Sequence, residues 1–217
     1  MLNKNEYSAV IFDLDGTLVD TLPDLHGALI RALTDVGLPE IPENVVKSSL
    51  HGGLEASTAA AIVWLQADQL LYEPLLNSYR GHYRGMECER SRAFDGVPEM
   101  LHELNNSGVA LGVCTNKAGR AARALLQHLE LAQYFKTIVG ADSCTRRKPD
   151  PMPLDYAVRL LDVSHERVLY VGDSIVDYEC AKAAGIEFRL YGGGYGAEEV
   201  LHDKSVRVIN DYSTISA

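Results

Sequence analysis

Short apolar runs that stop abruptly at polar residues alternate with longer amphipathic stretches along most of this chain. Tyr7 to Phe12 (YSAVIF) runs into acidic residues and Gly16. Val109 to Cys114 (VALGVC) ends at Thr115-Asn116, and Arg167 to Val171 (RVLYV) ends at Gly172-Asp173. Each reads as a buried strand with polar groups at its C-terminal end. Thr137 to Gly140, Glu187 to Tyr191 and Val206 to Ile209 predict further strands. Val97 to Asn106, Ala118 to Leu129, Pro153 to Leu161 and Asp177 to Ala184 predict helices, the last closed by Gly185 as a C-cap. Strands alternating with helices predict an α/β fold with a doubly wound (Rossmann-like) parallel sheet.

One block breaks the alternation. After the first strand, Leu22 to Val36, Glu43 to Leu50, Leu54 to Ala67 and Gln69 to Tyr83 all read as helical. Gly37-Leu38-Pro39, Pro42 and His51-Gly52-Gly53 punctuate them. Thr21 followed by Asp24 reads as a cap with an acidic first turn. Trp64, with Ile62 and Leu65, is expected in the core of this block. Arg80 and Arg84 share a helical face that reads as solvated, with carboxylate recognition the alternative. The pattern predicts a small α-helical cap at 18–87, inserted into a core built from 1–17 and 88–217. No internal repeat, low-complexity segment or Gly/Ser linker is present.

Composition narrows the partners. The chain has 217 residues, of which 47% are hydrophobic and 23% charged, with a net charge of −10. Such a balance disfavours nucleic-acid backbones and anionic membranes, and it obliges any small anionic substrate to find a local positive site. The cysteines Cys88, Cys114, Cys144 and Cys180 are scattered, without the spacing of a zinc or redox site, and are expected as reduced thiols. Met1 to Glu6 carries no apolar signal region, and the best apolar run, Ala59 to Leu65, is too short to span a bilayer. A cytoplasmic location is expected.

The chemistry lies at the strand ends. In an open α/β sheet, ligands bind beyond the C-terminal ends of the strands. Asp13/Asp15, Thr115/Asn116 and Asp173 are therefore expected to converge. Carboxylates crowded together repel one another unless a hard cation joins them. Asp13 and Asp15, two apart in extended chain, can leave one face and divide labour, one attacking and one carrying a proton. Gly16 permits a sharp turn whose amides can face a phosphate, with the Thr17 hydroxyl beside them. Lys148, before Pro149, is held extended as a point charge suited to phosphate. In Gly172-Asp173-Ser174-Ile175-Val176-Asp177, one aspartate can bind a metal while the other supports it from the next helical turn.

These residues together resemble the haloacid dehalogenase superfamily. FDLDGTLVDT resembles its first motif, Thr115 its second, Lys148 its third, and Gly172-Asp173-Ser174 with Asp177 its fourth. The resemblance covers the whole chain. It implies that Asp13 is the nucleophile of an aspartyl-phosphate mechanism and Asp15 the general acid and base. It implies Mg²⁺ held by Asp13, the Asp15 backbone carbonyl and Asp173, with Ser174 and Asp177 in support. Leu14, Gly16, Thr17, Thr115, Asn116 and Lys148 are expected around the phosphoryl oxygens. The helical block resembles the family's small cap, in which His51-Gly52-Gly53 is either a substrate-facing loop or a turn between helices.

Thr17 after Asp15-Gly16 speaks against the sugar mutases that the resemblance includes, which commonly carry a bulkier apolar residue there, while Pro23-Asp24-Leu25, the Asp95-Gly96-Val97-Pro98-Glu99 segment and Gly194-Tyr195-Gly196 resemble the phosphoglycolate phosphatase group. The expected partner is thus a small phosphorylated metabolite, phosphoglycolate first, with a monomer or homodimer as the working form. Alternatives are a sugar- or nucleotide-phosphatase, a pyrophosphatase, or a β-phosphoglucomutase-like phosphomutase. A non-catalytic binding protein is disfavoured because no catalytic position is missing, and a dehalogenase because Asp15 is present.

Overall fold

A computed structural model describes residues 6–86 and 88–214 of the chain. Met1 to Asn5, read above for a leader, and residue 87, where the helical block was read to end, lie outside them. The strands are β1 (Ala9–Phe12), β2 (Val19–Asp20), β3 (Arg92–Ala93), β4 (Ala110–Cys114), β5 (Thr137–Val139), β6 (Val168–Gly172), β7 (Glu187–Tyr191) and β8 (Arg207–Ile209). The helices are α1 (Leu22–Asp35), α2 (Glu43–Lys47), α3 (Gly53–Trp64), α4 (Tyr72–Met86), α5 (Val97–Asn106), α6 (Gly119–His128), α7 (Met152–Leu161), α8 (Ile175–Ala184) and α9 (Ala197–Val200).

Six strands form one parallel sheet in the order β5-β4-β1-β6-β7-β8. This is the predicted doubly wound α/β architecture. Every residue of β1, β4 and β6 is buried, as strands covered by helices on both faces require. Ile11, Val139, Leu154, Val158, Tyr170 and Cys180 belong to one core cluster that joins these strands to α7 and α8. The chain reverses direction in the sheet at β1, which has β4 on one side and β6 on the other. Phe12 pairs with both Val113 and Val171. That register puts the ends of β1, β4 and β6 level, so the residues just beyond them emerge together.

The chain divides into two compact units, one running through Val19 and resuming at Ala93, the other spanning Asp20–Arg92. The second unit is helical apart from the residues of β2 and β3 at its two ends, which pair as a two-stranded ribbon. Two-residue strands show no periodicity, so the hydrophobic pattern did not reveal them.

Two local expectations for this unit fail. Trp64 is 55% exposed, beside Val63 at 71%, while Ile62 is buried. Trp64 is the last residue of α3, at the edge of the face that carries the buried Ser57 and Ala61. α1 does start after Thr21 with Asp24 in its first turn, but Thr21 makes no side-chain cap bond. Asp24 is fully buried and accepts hydrogen bonds from the Arg90 and Ser91 amides and the Ser91 hydroxyl at 2.7–3.1 Å. Arg80 does pair with a carboxylate, Glu55 at 2.7 Å, but as an exposed ion pair of its own unit. No helix among the described residues is long and apolar enough to cross a membrane.

Candidate active site

The turn after β1 is built around one carbonyl. Leu14 O accepts from the amides of Thr17, Leu18 and Val19, and Gly16 N donates to Val19 O at 2.9 Å. Gly16 makes this closure at φ +86, a conformation that glycine adopts without a steric penalty. A Cβ there would also lie 2.5 Å from Asp173 Oδ2. The Gly16 and Thr17 amides, expected to face a phosphate, are therefore consumed inside the turn. The Leu14 amide takes no backbone acceptor among the described residues and keeps that capacity.

Thr17 follows in the same turn. Its hydroxyl is buried and donates to Asp173 Oδ1 at 2.9 Å, tying the first strand end to the third. Asp173 Oδ2 accepts the Tyr195 amide at 2.7 Å. Gly194 is what allows that approach, since a Cβ on it would sit 2.2 Å from Asp173 Cβ and 2.6 Å from Gly16 O.

Lys148 sits at the centre of the buried groups. Its Nζ donates to Asp13 Oδ1 at 2.8 Å and lies 2.5 Å from Asp177 Oδ1, 2.8 Å from the Tyr170 hydroxyl and 3.0 Å from Cys114 O. The Lys148–Pro149 peptide is cis. Asp177 Oδ1 also takes the Tyr170 hydroxyl at 2.8 Å, while its Oδ2 accepts the Ser174 amide and hydroxyl, completing a capping box at the start of α8. Both Asp177 oxygens are thus occupied, which suits it to hold Lys148 and brace the loop. The Thr115 hydroxyl accepts the Lys117 amide at 3.1 Å, which leaves its own proton to donate elsewhere. Asn116 Nδ2 donates to Lys148 O at 3.1 Å. Asp15, at the rim, accepts Lys117 Nζ at 2.9 Å.

Electrostatics set the character of the pocket. Burial, only partly offset by the Lys148 ammonium, pushes Asp13 up to about 7. Burial and repulsion from Asp177 and Asp13 push Asp173 up to about 8. Burial would lower Lys148, but the Asp13 and Asp177 carboxylates outweigh it and hold the ammonium charged. Burial would likewise raise Asp177, yet Lys148 and the hydrogen bonds from Lys148, Ser174 and Tyr170 keep it below its ordinary value.

Asp13, Asp173 and Asp177 offer carboxylate oxygens within 4.8 Å of one another. Buried oxygen donors that resist ionisation together fit a hard cation, whose charge would favour the ionised form of each. Asp13 and Asp173 keep acceptor capacity for it, because Lys148 reaches only one Asp13 oxygen and each Asp173 oxygen takes one donor, whereas each Asp177 oxygen already takes two.

The structure thus brings together Asp13, Leu14, Asp15, Gly16, Thr17, Thr115, Asn116, Lys148, Asp173, Ser174 and Asp177 in one unit. His51, Gly52 and Gly53 lie in the helical unit, where His51 and Gly52 form a 3₁₀ turn and Gly53, at φ +75, starts α3. Three further residues were missed. Lys117 follows Thr115-Asn116 directly, but a lone lysine carries no sequence signal. Tyr170 lies inside β6, where an aromatic reads as core. Tyr195 acts through its backbone, and only its flanking glycines hint at a close approach.

Charged side chains gathered at the switch point of a doubly wound sheet, with an acidic cluster suited to a cation, define a hydrolase of a known kind. The chain matches the haloacid dehalogenase-like hydrolase family over residues 10–190 and belongs to it. It is an enzyme of the family's phosphatase branch. It is 36% identical over 194 residues to the N-acetylmuramic acid 6-phosphate phosphatase of Pseudomonas aeruginosa, covering 89% of this chain and 85% of that protein. It is 37% identical over 213 residues to the phosphoglycolate phosphatase of Rhodospirillum rubrum, covering 95% of this chain and 88% of that one. A crystal structure of a predicted phosphoglycolate phosphatase from Haemophilus somnus superposes with a TM-score of 0.89 at 28% identity, over 97% of this chain and 96% of that one.

Proposed function

We propose that the protein is a Mg²⁺-dependent phosphomonoesterase that forms an aspartyl-phosphate on Asp13 and takes phosphoglycolate as its first substrate. The observation that carries this reading is the different company of two neighbouring carboxylates. Asp13 lies deep against Lys148, as a nucleophile aimed at an anion must, while Asp15 stands at the rim with Lys117.

An Asp13 oxygen attacks phosphorus, the bond to the leaving oxygen breaks, and Asp15 gives that oxygen its proton. Water then attacks the phosphorus of the aspartyl-phosphate, passes a proton to Asp15 and releases phosphate. Thr115, the Leu14 amide, Asn116 and Lys148 hold the phosphoryl oxygens, and positioning of this kind supplies most of the catalysis in phosphoryl transfer. Mg²⁺, held by Asp13, Asp173 and the Asp15 carbonyl, would neutralise charge on those oxygens. Ser174 and Asp177 support the site from α8.

The helical unit Asp20–Arg92 serves in this reading as the cap, with His51-Gly52-Gly53 as its substrate-facing loop. In this reading the enzyme is cytoplasmic and works as a monomer or homodimer. N-Acetylmuramic acid 6-phosphate is the second substrate to consider, because the relative acting on it matches at 36% identity. Like phosphoglycolate, it is the phosphate of a primary alcohol that also bears a carboxylate.

A phosphate-release assay with Mg²⁺ over both compounds, nucleoside and sugar monophosphates and pyrophosphate tests the proposal. Phosphoglycolate is expected to give the highest kcat/KM. Isomerised sugar phosphate as the main product would replace the phosphatase with a mutase.

A further inference from the structure

Lys117 belongs to none of the motifs that identify the family, yet it is one of the most buried cations in the molecule. Its side chain is 5% exposed, and its Nζ donates to Asp15 Oδ1 at 2.9 Å. Its backbone is pinned on three sides. The Lys117 amide donates to Thr115 Oγ1 at 3.1 Å, its carbonyl accepts Ala141 N at 2.9 Å, and Gly119 N donates to Asp142 Oδ1 at 2.7 Å. Gly140 packs so closely beneath the loop that a Cβ there would come within 2.4 Å of Gly119 N and 2.8 Å of Lys117 O. A lysine on so fixed a backbone behaves as a placed charge rather than a roaming one. Asp15 is the more exposed partner, at 18%, and no other side chain among the described residues donates to it.

We infer that Lys117 is a positioning residue for Asp15, holding Oδ1 so that Oδ2 is presented to the leaving oxygen of the substrate. The inference rests on the phosphatase reading above. A carboxylate free to rotate at the rim would spend much of its time pointing away, and misplacement of about 1 Å is enough to cost on the order of 10²-fold in rate. Lys148 does not share this duty, because its four neighbours are Asp13, Asp177, Tyr170 and the Cys114 carbonyl.

The discriminating property is the proton demand of the leaving group. Glycerol 3-phosphate and phosphoglycolate lose an alkoxide, which needs Asp15. p-Nitrophenyl phosphate loses a phenolate that departs without a proton. The constant kcat/KM reports the steps up to that departure. In Lys117→Met with Mg²⁺, kcat/KM is expected to fall about 10²-fold for both alkyl substrates, the scale of a general-acid contribution, and to change little for the aryl one. Lys117→Arg, which keeps a cation in place, is expected to restore part of the alkyl activity.

The readout is the ratio of alkyl to aryl rates, so a loss of folded protein, which lowers both together, does not imitate it. Lys117→Gln repeats the measurement with a neutral polar side chain. Equal losses on all three substrates would overturn the positioning role. A loss confined to phosphoglycolate would overturn it too, assigning Lys117 to the substrate carboxylate instead. If the unmodified enzyme released phosphate from none of them, the phosphatase reading itself would fail, an outcome distinct from either.

Discussion

Lys148 shows how much one side chain can connect. It lies 135 residues from Asp13 in sequence and 29 from Asp177, yet it holds both carboxylates from a buried position. Burying three charges costs several kcal/mol per ion unless they are paired and hydrogen-bonded. Here Lys148 offsets only part of the negative charge that Asp13, Asp173 and Asp177 bring together, and Asp13 and Asp173 resist ionisation. Function accounts for so costly an arrangement better than stability does. Replacing Asp13 by Asn removes the nucleophile and one of the crowded carboxylates together. Asp13→Asn is therefore expected to reduce kcat by at least about 10⁴-fold, as loss of a nucleophile does elsewhere. Its thermal melting temperature should stay at or above that of the unmodified protein. Retained turnover would rule out the aspartyl-phosphate.

At the scale of elements, placement follows from register and from loops held by glycine. The level ends of β1, β4 and β6 deliver Asp13, Thr115 and Asp173 to one place. Much of this was legible beforehand. Apolar runs ending in Asp, Thr or Gly-Asp mark buried parallel strands, because only a strand covered on both faces is apolar throughout. Less legible were the jobs of Thr17 and Asp24, since a short polar side chain beside a turn or helix start has both local and distant partners open to it. Asp24 took the distant one. Buried at the start of α1, it receives three donors from Arg90 and Ser91, where the chain closes the helical unit. Asp24→Ala leaves those amides without their acceptor, at an expected cost of about 2–4 kcal/mol. Urea unfolding measures the loss, and limited proteolysis should show earlier cutting near Arg90. Unchanged stability would mean that the anchor is dispensable.

For the whole molecule, metal and fold are linked. A cation that binds only the folded protein stabilises it by an amount set by its concentration relative to Kd, about 2.7 kcal/mol at a hundredfold excess. EDTA is expected to abolish phosphate release and lower the melting temperature, and added Mg²⁺ to restore both. Full turnover in EDTA would contradict the role assigned to the Asp13–Asp173 cluster.

The sequence by itself determined the doubly wound sheet, the helical insertion, the principal acidic and basic residues and the family they resemble. All of these depend on periodicity and on residue type at strand ends, which are local properties of the chain. Only the tertiary structure decided which oxygen meets which donor. It turned Thr17 toward Asp173, saturated Asp177, exposed Trp64, and brought Lys117 to Asp15 across a sequence separation of 102. Those outcomes depend on how strands far apart in sequence come level and how closely loops pack, and a linear pattern of hydrophobic and polar residues carries neither.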